Sequence, residues 1–309
     1  MDRLRSDEIV EGYLKDCKVR GMSPRTMPGY KSALKMFRLY LDQINVDILD
    51  VNRDVLKGFL EHIREKQLTQ RSLESNFSVL SSFYEYLNYE GMVSKNPVSE
   101  VRKRYLRSYK DNGSNHERKL ISVEDMAKMI NSEMNIRNKV IITLLAKTGI
   151  RRNELVSLDV SDIDLIEMKI TLKPTHKRTN RIVFFDDETA FILRRWIRIR
   201  GGMNKKQLPA LLLSAKGDRL SGNGVLEIVS KAALRVDLSD ISSGNPSDHF
   251  FPHCCRHWFT THLRRAGMPR EFIQELRGDV RREAIDIYDH IDKKELRESY
   301  LAHIPQLGI

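Results

Sequence analysis

The chain has 309 residues, of which 53 are Lys or Arg and 42 are Asp or Glu, giving a formal net charge of +11. One hydrophobic core serves roughly 150 residues, so this length predicts about two domains, and 40% hydrophobic with 31% charged residues excludes a largely disordered chain. The positive charge makes a polyanion the first partner to consider, with an acidic membrane surface second.

The first hundred residues predict a bundle of helices. A short helix is indicated near residues 9–14, and a second lies in SPRTMPGYKSALKMFRLYLDQI, where apolar side chains recur at helical spacing on one face. Ser23 is a candidate N-cap with Pro24 at the first helical position. Thr26 is the alternative cap, because Pro28 delays a regular helix.

Two further helices are predicted in this region, one after Asn52 and one from about Thr69 to a stop at Gly91. Their Lys and Arg side chains are typical of a solvated helix surface. Residues 101–119 change from basic residues to DNGSN, a composition typical of a linker. The predicted domains are a helical domain at 1–105, a linker at 106–117 and a second domain at 118–309.

The second domain begins with helices, since Ser122 and Asp125 have the spacing of a helix start and Gly149 follows an apolar helical segment. The runs 168–172 and 181–185 flank KPTHKRTN and predict a long hairpin. Further helical segments are 189–200, 222–236, 253–266 and 282–288, and 211–213 is a candidate third strand. We therefore expect a mainly α fold with a small β-sheet (α+β).

Apolar runs and cysteines indicate the compartment. No stretch approaches the ~18 consecutive apolar residues of a membrane span, and MDRLRSDEIV lacks the apolar core of a signal peptide. The three cysteines, Cys17, Cys254 and Cys255, cannot form a disulfide framework. We expect a cytoplasmic protein with no membrane partner.

Two arginine-containing motifs are candidates for phosphate chemistry. In TGIRRNEL, Arg151 follows a helix end, where a guanidinium beside free backbone N–H groups can hold a phosphate. In FPHCCRHWFTTHL, Pro252 starts a helix on which His253 and Arg256 are three residues apart and share a face. Taken alone, the first motif is more typical of ordinary paired surface arginines after a helix end.

A zinc site at His253, Cys254, Cys255 and His257 is a weaker interpretation. Adjacent side chains on a helix diverge by about 100°, and no second ligand pair with zinc-like spacing occurs. The two cysteines are better explained as small packing residues, so we expect no metal and no cofactor.

Two further residues gain significance only in combination. Lys177 lies in the polar tip of the predicted hairpin, and Tyr288 lies late in a short predicted helix. Taken in chain order, TGIR, a hairpin lysine, HCCR and then IYDHI resemble the tyrosine recombinase, or phage integrase, family over nearly the whole chain. TGIRRNEL and PHCCRHWFTTHLRRAG are the most specific matches.

The resemblance implies a role for each motif residue. Arg151 is the first catalytic arginine, His253 and Arg256 are the H-x-x-R pair, Lys177 is the hairpin lysine and Tyr288 is the nucleophile. Lys173 is the alternative hairpin lysine.

One position departs from the family pattern. Asp279 stands nine residues before Tyr288, where the family usually has histidine or tryptophan. An anion near a phosphodiester is unfavourable unless it is protonated or paired with a cation. Asp279 is therefore either a structural helix N-cap or a residue that orients Arg151, Arg256 or the Tyr288 hydroxyl.

The implied chemistry is cleavage and rejoining of double-stranded DNA through a 3′-phosphotyrosine, without metal or ATP. Two guanidiniums can neutralise the phosphate, His253 can accept the tyrosine proton or orient the phosphate, and Lys177 can protonate the leaving 5′-oxygen. The family also implies a tetramer on two DNA sites, with a C-terminal segment from Leu296 docked on a neighbour. The alternatives are a DNA-binding protein with weakened catalysis, suggested by Asp279, and a type IB-like strand-nicking topoisomerase.

Overall fold

The computed structural model describes residues 3–24, 26–106, 120–174, 181–240, 242–243, 248–279 and 291–309, with the side chains of 3–5 left out. The chain divides into two compact units, Met1–Ser114 and Asn115–Ile309. No helix in the described ranges combines the length and the apolar character that crossing a bilayer requires.

The first unit is a helical bundle around an aromatic core. Its described helices are α1 (Arg3–Val19), α2 (Met27–Gln43), α3 (Arg53–Glu65), α4 (Gln70–Tyr89) and α5 (Val98–Tyr105). The Phe37 and Phe59 rings meet edge to face with centroids 4.9 Å apart, and the buried Tyr84 hydroxyl donates to the Ile48 carbonyl over 2.7 Å. Such ring contacts between helices are what fix their packing in a bundle.

Two helix starts in this unit lie at the residues that the sequence predicted, Asn52 and Thr69. The Asn52 side chain accepts hydrogen bonds from two backbone N–H groups at the start of α3, and Thr69 accepts one at the start of α4. In α2 the alternative prediction is confirmed: the helix begins at Met27 after Thr26, with Pro28 in its first turn. Ser23 is not the cap, because Pro28 fits only the first turn of a helix and therefore delays its start.

The basic run after residue 100 begins as helix, not as linker. Helix α5 extends to Tyr105, and its valines Val98 and Val101 are buried against the bundle with Leu106. Composition alone predicts a linker from 101, because the consecutive basic residues 102–104 obscure the spacing of the three apolar residues that hold the helix in place. The segment 107–119 lies outside the described residues.

The second unit is mainly α with one small sheet, as predicted. Its described helices are α6 (Val123–Asn131), α7 (Ile136–Thr148), α8 (Arg152–Ser157), α9 (Asp187–Met203), α10 (Gly222–Arg235), α11 (Pro252–Arg265), α12 (Arg270–Arg277) and α13 (Lys293–His303). Its strands are β1 (Ile163–Asp164), β2 (Lys169–Leu172) and β3 (Arg181–Phe184). The predicted helix at 282–288 falls outside the described residues.

The sheet is antiparallel, in the order β1-β2-β3, with Ile170 opposite Val183. The predicted hairpin of β2 and β3 is therefore confirmed. The candidate third strand at 211–213 is wrong, since only isolated bridges occur there and the third strand is Ile163–Asp164. The leucines of 211–213 are buried by packing in the core, and burial alone gives the same apolar run as a strand.

Helix α7 is the centre of the second unit and leads directly to the first arginine motif. Its segment 140–148 is fully buried beneath α9 and α11. It ends at Gly149, whose φ of 60° is a left-handed conformation. A Cβ at this position would collide with the Phe259 ring of α11, so glycine is required both by conformation and by space.

The C-terminal segment packs on its own unit. Leu296, Tyr300, Ile304 and Leu307 are buried there, and Glu188 of α9 accepts the Leu307 N–H over 3.0 Å. The resemblance led us to expect docking on a neighbouring chain. In this single chain the apolar side chains of the segment cover the core of the same unit, and docking on a neighbouring chain stays a prediction.

Candidate active site

Arg151 is placed by the turn between α7 and α8. Its backbone N–H donates to a carboxylate oxygen of Glu154 over 2.7 Å, which closes the first turn of α8. The guanidinium extends to the end of α12, where Nη1 donates to the Arg277 carbonyl over 3.1 Å and Nη2 to Asp279 Oδ1 over 3.4 Å. Arg151 therefore joins two motifs that are far apart in the chain.

Arg256 reaches the same point from the second turn of α11. Its side chain is only 3% exposed; Nη1 donates to the Gly149 carbonyl over 2.6 Å, and Nη2 donates to the Arg277 carbonyl over 2.7 Å and to Asp279 Oδ1 over 3.2 Å. Burial, reinforced by the positive charges of Arg151 and Arg277, lowers the pKa of Arg256 to about 9. At neutral pH the guanidinium is still charged.

Asp279 is the anion on which these arginines converge. One carboxylate oxygen accepts from both Arg151 and Arg256, and the other lies 3.1 Å from Arg277 Nε. This is the contact that the active-site interpretation of Asp279 expects, with its charge compensated by three guanidiniums. The N-cap interpretation concerns residues 280–290, which lie outside the described part of the chain.

His253 lies in the first turn of α11, one turn before Arg256, and is exposed. Together with Arg151 and Arg256 it lines a cavity of about 370 Å³. Its ring meets that of His257 edge to face at a centroid distance of 4.7 Å. The structure thus brings three of the six predicted site residues to one cavity, with Asp279 bonded to two of them.

The other two predicted site residues cannot be placed. Lys177 lies in 175–180 and Tyr288 in 280–290, both outside the described residues. The strand that follows Lys177 begins at Arg181, whose side chain contacts α8 and α12.

Lys173, the alternative hairpin lysine, has other partners. Its ammonium group donates to the Ser157 carbonyl over 3.0 Å and pairs with the carboxylates of Asp159 and Asp162. Arg219 also donates to Asp159, so the group forms a charge cluster at the end of β2. Lys173 therefore has three protein partners in this structure, the Ser157 carbonyl and the two carboxylates.

Glu154 and Arg181 belong to the site but were not predicted. Arg181 Nη1 and Nη2 donate to the two Glu154 carboxylate oxygens over 2.7 and 3.0 Å, while Arg151 Nη1 lies 3.3 Å from one of them. Burial alone would raise the pKa of Glu154, but the hydrogen bond and charge of Arg181 outweigh it and lower the pKa to about 2. The spacing of Glu154 from Arg151, three residues in TGIRRNEL, was an available signal.

The cysteines of the second motif are packing residues. Cys254 and Cys255 are both buried, and burial raises the pKa of the Cys255 thiol far above its ordinary value. Across the described ranges, no group of three or more His, Cys, Asp or Glu side chains is arranged to hold a metal ion.

Comparisons with known proteins identify a family for both units of the chain. The phage integrase family matches residues 120–295, and the N-terminal SAM-like domain of phage integrases matches residues 10–91. A tyrosine recombinase XerC of Bacillus licheniformis is 29% identical over 293 residues, covering 93% of this chain and 92% of the relative. A tyrosine recombinase XerD of Staphylococcus epidermidis is 25% identical over 310 residues, covering 96% and 99%.

The fold is also that of a solved integrase. A lambda integrase dimer bound to a COC′ core site superposes with a TM-score of 0.68 at 16% identity, covering 93% of this chain and 98% of that one. At this identity the likeness concerns the fold alone.

Proposed function

Since the chain belongs to the phage integrase family and is a tyrosine recombinase, an enzyme of DNA strand exchange, we propose that it cuts and rejoins DNA through a covalent 3′-phosphotyrosine on Tyr288. Its substrate is a specific DNA site. The observation that carries the proposal is the convergence of Arg151 and Arg256 on one point beside His253.

The two arginines suit a phosphodiester. They approach one carboxylate oxygen, at 3.4 Å for Arg151 and 3.2 Å for Arg256, and so mark where a second anion of similar geometry binds. Charges that are already in place stabilise the extra negative charge of the pentacoordinate transition state at phosphorus without reorganisation. The scissile phosphate therefore binds against these two guanidiniums.

The strand-cleavage step exchanges one ester for another. The Tyr288 oxygen forms a bond to phosphorus and gives its proton to His253, while the bond from phosphorus to the 5′-oxygen breaks. Lys177 transfers a proton to that leaving oxygen, which becomes a free 5′-hydroxyl. Because the phosphotyrosine conserves the ester, attack by a 5′-hydroxyl reverses the step without ATP.

Double-stranded DNA is the proposed partner, and phosphate contacts account for the basic charge of the chain. Strand exchange between two duplexes needs four cleavages, so a tetramer on two sites is the proposed working assembly. An enzyme acts where its substrate is, which makes the cytoplasm the proposed compartment.

The decisive test is covalent trapping on a nicked DNA substrate. Tyr288→Phe is expected to bind DNA as the parent does but to form no covalent adduct. Tyr300→Phe is the matched control, because Tyr300 is fully buried and its hydroxyl donates to the Lys147 carbonyl over 2.9 Å. An adduct with Tyr288→Phe, or its loss with Tyr300→Phe, would refute the assignment.

A DNA-binding protein with weakened catalysis is the second candidate. It is favoured by Asp279, whose carboxylate competes with a phosphate for Arg151 and Arg256. The same trapping assay decides between the two functions. If the second candidate is right, the unmutated protein binds DNA but forms no covalent adduct. Dependence of adduct formation on one sequence separates a recombinase from a strand-nicking topoisomerase.

A further inference from the structure

Arg181 connects three parts of the active site although it does not line the cavity. Its side chain, 9% exposed, runs from the first residue of β3 to the space between α8 and α12. It holds Glu154 with two hydrogen bonds, and its Nε donates to the Leu276 carbonyl over 3.2 Å. One guanidinium thus ties the hairpin strand to both helices.

The partner of Arg181 also holds a candidate phosphate-binding arginine. Glu154 accepts the Arg151 backbone N–H over 2.7 Å and lies 3.3 Å from Arg151 Nη1. Glu154 is therefore a single buried carboxylate shared by two guanidiniums. Without Arg181, its whole negative charge acts on Arg151 and draws that guanidinium away from the Asp279 side of the site.

The turn at residues 277–279, which Arg151 and Arg256 contact, packs directly against the Arg181 side chain. Gly278 has a φ of 58°, and a Cβ there would lie 2.7 Å from Arg181 Cδ and 2.8 Å from its Nη1. The residues on either side of this glycine provide the carbonyl and the carboxylate that Arg256 binds. The position of the turn and the position of the Arg181 side chain therefore depend on each other.

We propose that Arg181 is a positioning residue, which holds Glu154 and the 277–279 turn so that Arg151 and Arg256 face the same phosphate; the phosphate itself rests on the proposed function. Arg181 acts through Glu154 and does not touch DNA. Because Arg181 keeps the pKa of Glu154 low, the carboxylate stays ionised and binds both guanidiniums.

The first experiment compares Arg181→Met and Arg181→Lys with the control Arg200→Met. Arg200 is also a buried arginine, 7% exposed, but it donates to the carbonyls of Leu208 and Ala210 away from the site. At saturating DNA, Arg181→Met is expected to slow adduct formation about 100-fold, the effect of a small misplacement of catalytic groups. Its DNA affinity should equal that of the parent.

Arg181→Lys keeps the charge but loses the two-pronged contact, so its rate should fall between parent and Arg181→Met. Arg200→Met should form the adduct at the parent rate per folded molecule. In a Glu154→Gln background, Arg181→Met should slow the reaction little further, because both changes interrupt one chain of contacts. Three results would overturn the proposal. They are a double variant whose rate loss is the product of the two single losses, an Arg181→Met variant that reacts at the parent rate, and an Arg181→Met variant that binds DNA more weakly.

A second measurement needs no catalysis. The ¹⁵N–¹H signal of Arg151 Nε, assigned by its loss in Arg151→Lys, should shift in DNA-free Arg181→Met and stay in place in Arg200→Met. An unchanged signal in Arg181→Met would also overturn the proposal. If the parent itself forms no adduct, the proposed function fails, and this signal still decides whether Arg181 positions Arg151.

Discussion

At the scale of single residues, the charge balance of the site depends on Asp279. Its carboxylate compensates Arg151, Arg256 and Arg277 in the DNA-free protein. A phosphate that enters the site must share the first two of these cations with it. Asp279 therefore orients the guanidiniums and at the same time weakens their charge toward DNA.

Substitution of Asp279 separates these two effects. Asp279→Asn keeps one acceptor oxygen but removes the charge, so we expect slower cleavage with DNA affinity equal to or above that of the parent. Asp279→His restores the usual residue of the family and should keep or raise the cleavage rate. The rate of adduct formation measures cleavage by each variant, and a titration with DNA measures its affinity. Normal cleavage by Asp279→Asn and Asp279→Ser alike would remove Asp279 from the active site.

Glu154 makes the stability of the second unit depend on acid pH. Its folded pKa of about 2 lies below the ordinary value of 4.5, so unfolding takes up a proton as the pH falls between these values. Its stabilisation is complete above pH 4.5 and is lost toward pH 2. The size of this contribution is at most about 3 kcal/mol.

We therefore expect Glu154→Gln to be less stable than the parent at neutral pH, with the difference shrinking as the pH falls below 4.5. Urea unfolding at a series of pH values measures this. Glu227→Gln is the control, because Glu227 is an exposed partner of Lys231 within α10 and such pairs contribute little. A difference between Glu154→Gln and parent that does not change with pH would contradict the assignment.

At the scale of elements, the α7–α8 turn sets the geometry of both arginines. Gly149 ends α7, its carbonyl accepts from Arg256, and Arg151 follows two residues later. A side chain at Gly149 meets the Phe259 ring of the helix that carries Arg256. The close approach of α7 and α11 therefore brings the two arginine motifs together.

Gly149→Ala tests this arrangement. The left-handed conformation alone costs a non-glycine residue about 1–2 kcal/mol, and the collision with Phe259 adds to that. Gly217→Ala is the matched control, since Gly217 has a φ of 75° but no atoms within 4 Å of a Cβ. Thermal unfolding should show a clearly larger loss for Gly149→Ala, and equal losses would show that the contact with Phe259 is not tight.

The sequence predicted those elements that local rules determine. The helix starts at Asn52, Thr69 and Ser122, the stop at Gly149 and the hairpin of β2 and β3 all depend on residues close in the chain, and all are present. Helix α5 and the third strand were missed, because their boundaries depend on packing against distant residues. Periodicity carries no information about such contacts.

The candidate site shows the same division. Arg151, His253 and Arg256 were identified through motifs, and the structure brings them to one cavity. The pairing of Arg181 with Glu154 joins positions 27 residues apart in the chain, and nothing in either local sequence specifies the partner. Tyr288 stays a prediction, which Tyr288→Phe tests, and Lys177 stays a prediction as well.

At the scale of the whole molecule, the C-terminal segment is joined to the core of the second unit around Lys147. The ammonium group of this fully buried lysine lies 2.6 Å from both Asp186 and Glu188 and donates to the Pro305 carbonyl over 2.7 Å. Glu188 also accepts the backbone N–H of Leu307. The positive charge of Lys147 is thus balanced by the two carboxylates at the start of α9, and the C-terminal segment supplies one of its hydrogen-bond acceptors. The core and the C-terminal segment therefore stabilise each other.

Removal of residues 304–309 tests whether the tail docks within its own chain. The truncated protein should lose stability, because Ile304 and Leu307 leave the core and Lys147 loses a hydrogen-bond acceptor. Docking within one chain is intramolecular, so the melting temperature of the parent should not change with protein concentration. Glu188→Gln retains the core side chains but weakens the hydrogen bond to the Leu307 N–H, so its stability should lie between that of the parent and that of the truncated protein. A melting temperature of the DNA-free parent that rises with concentration would show that the tail is exchanged between chains, as the family resemblance first suggested.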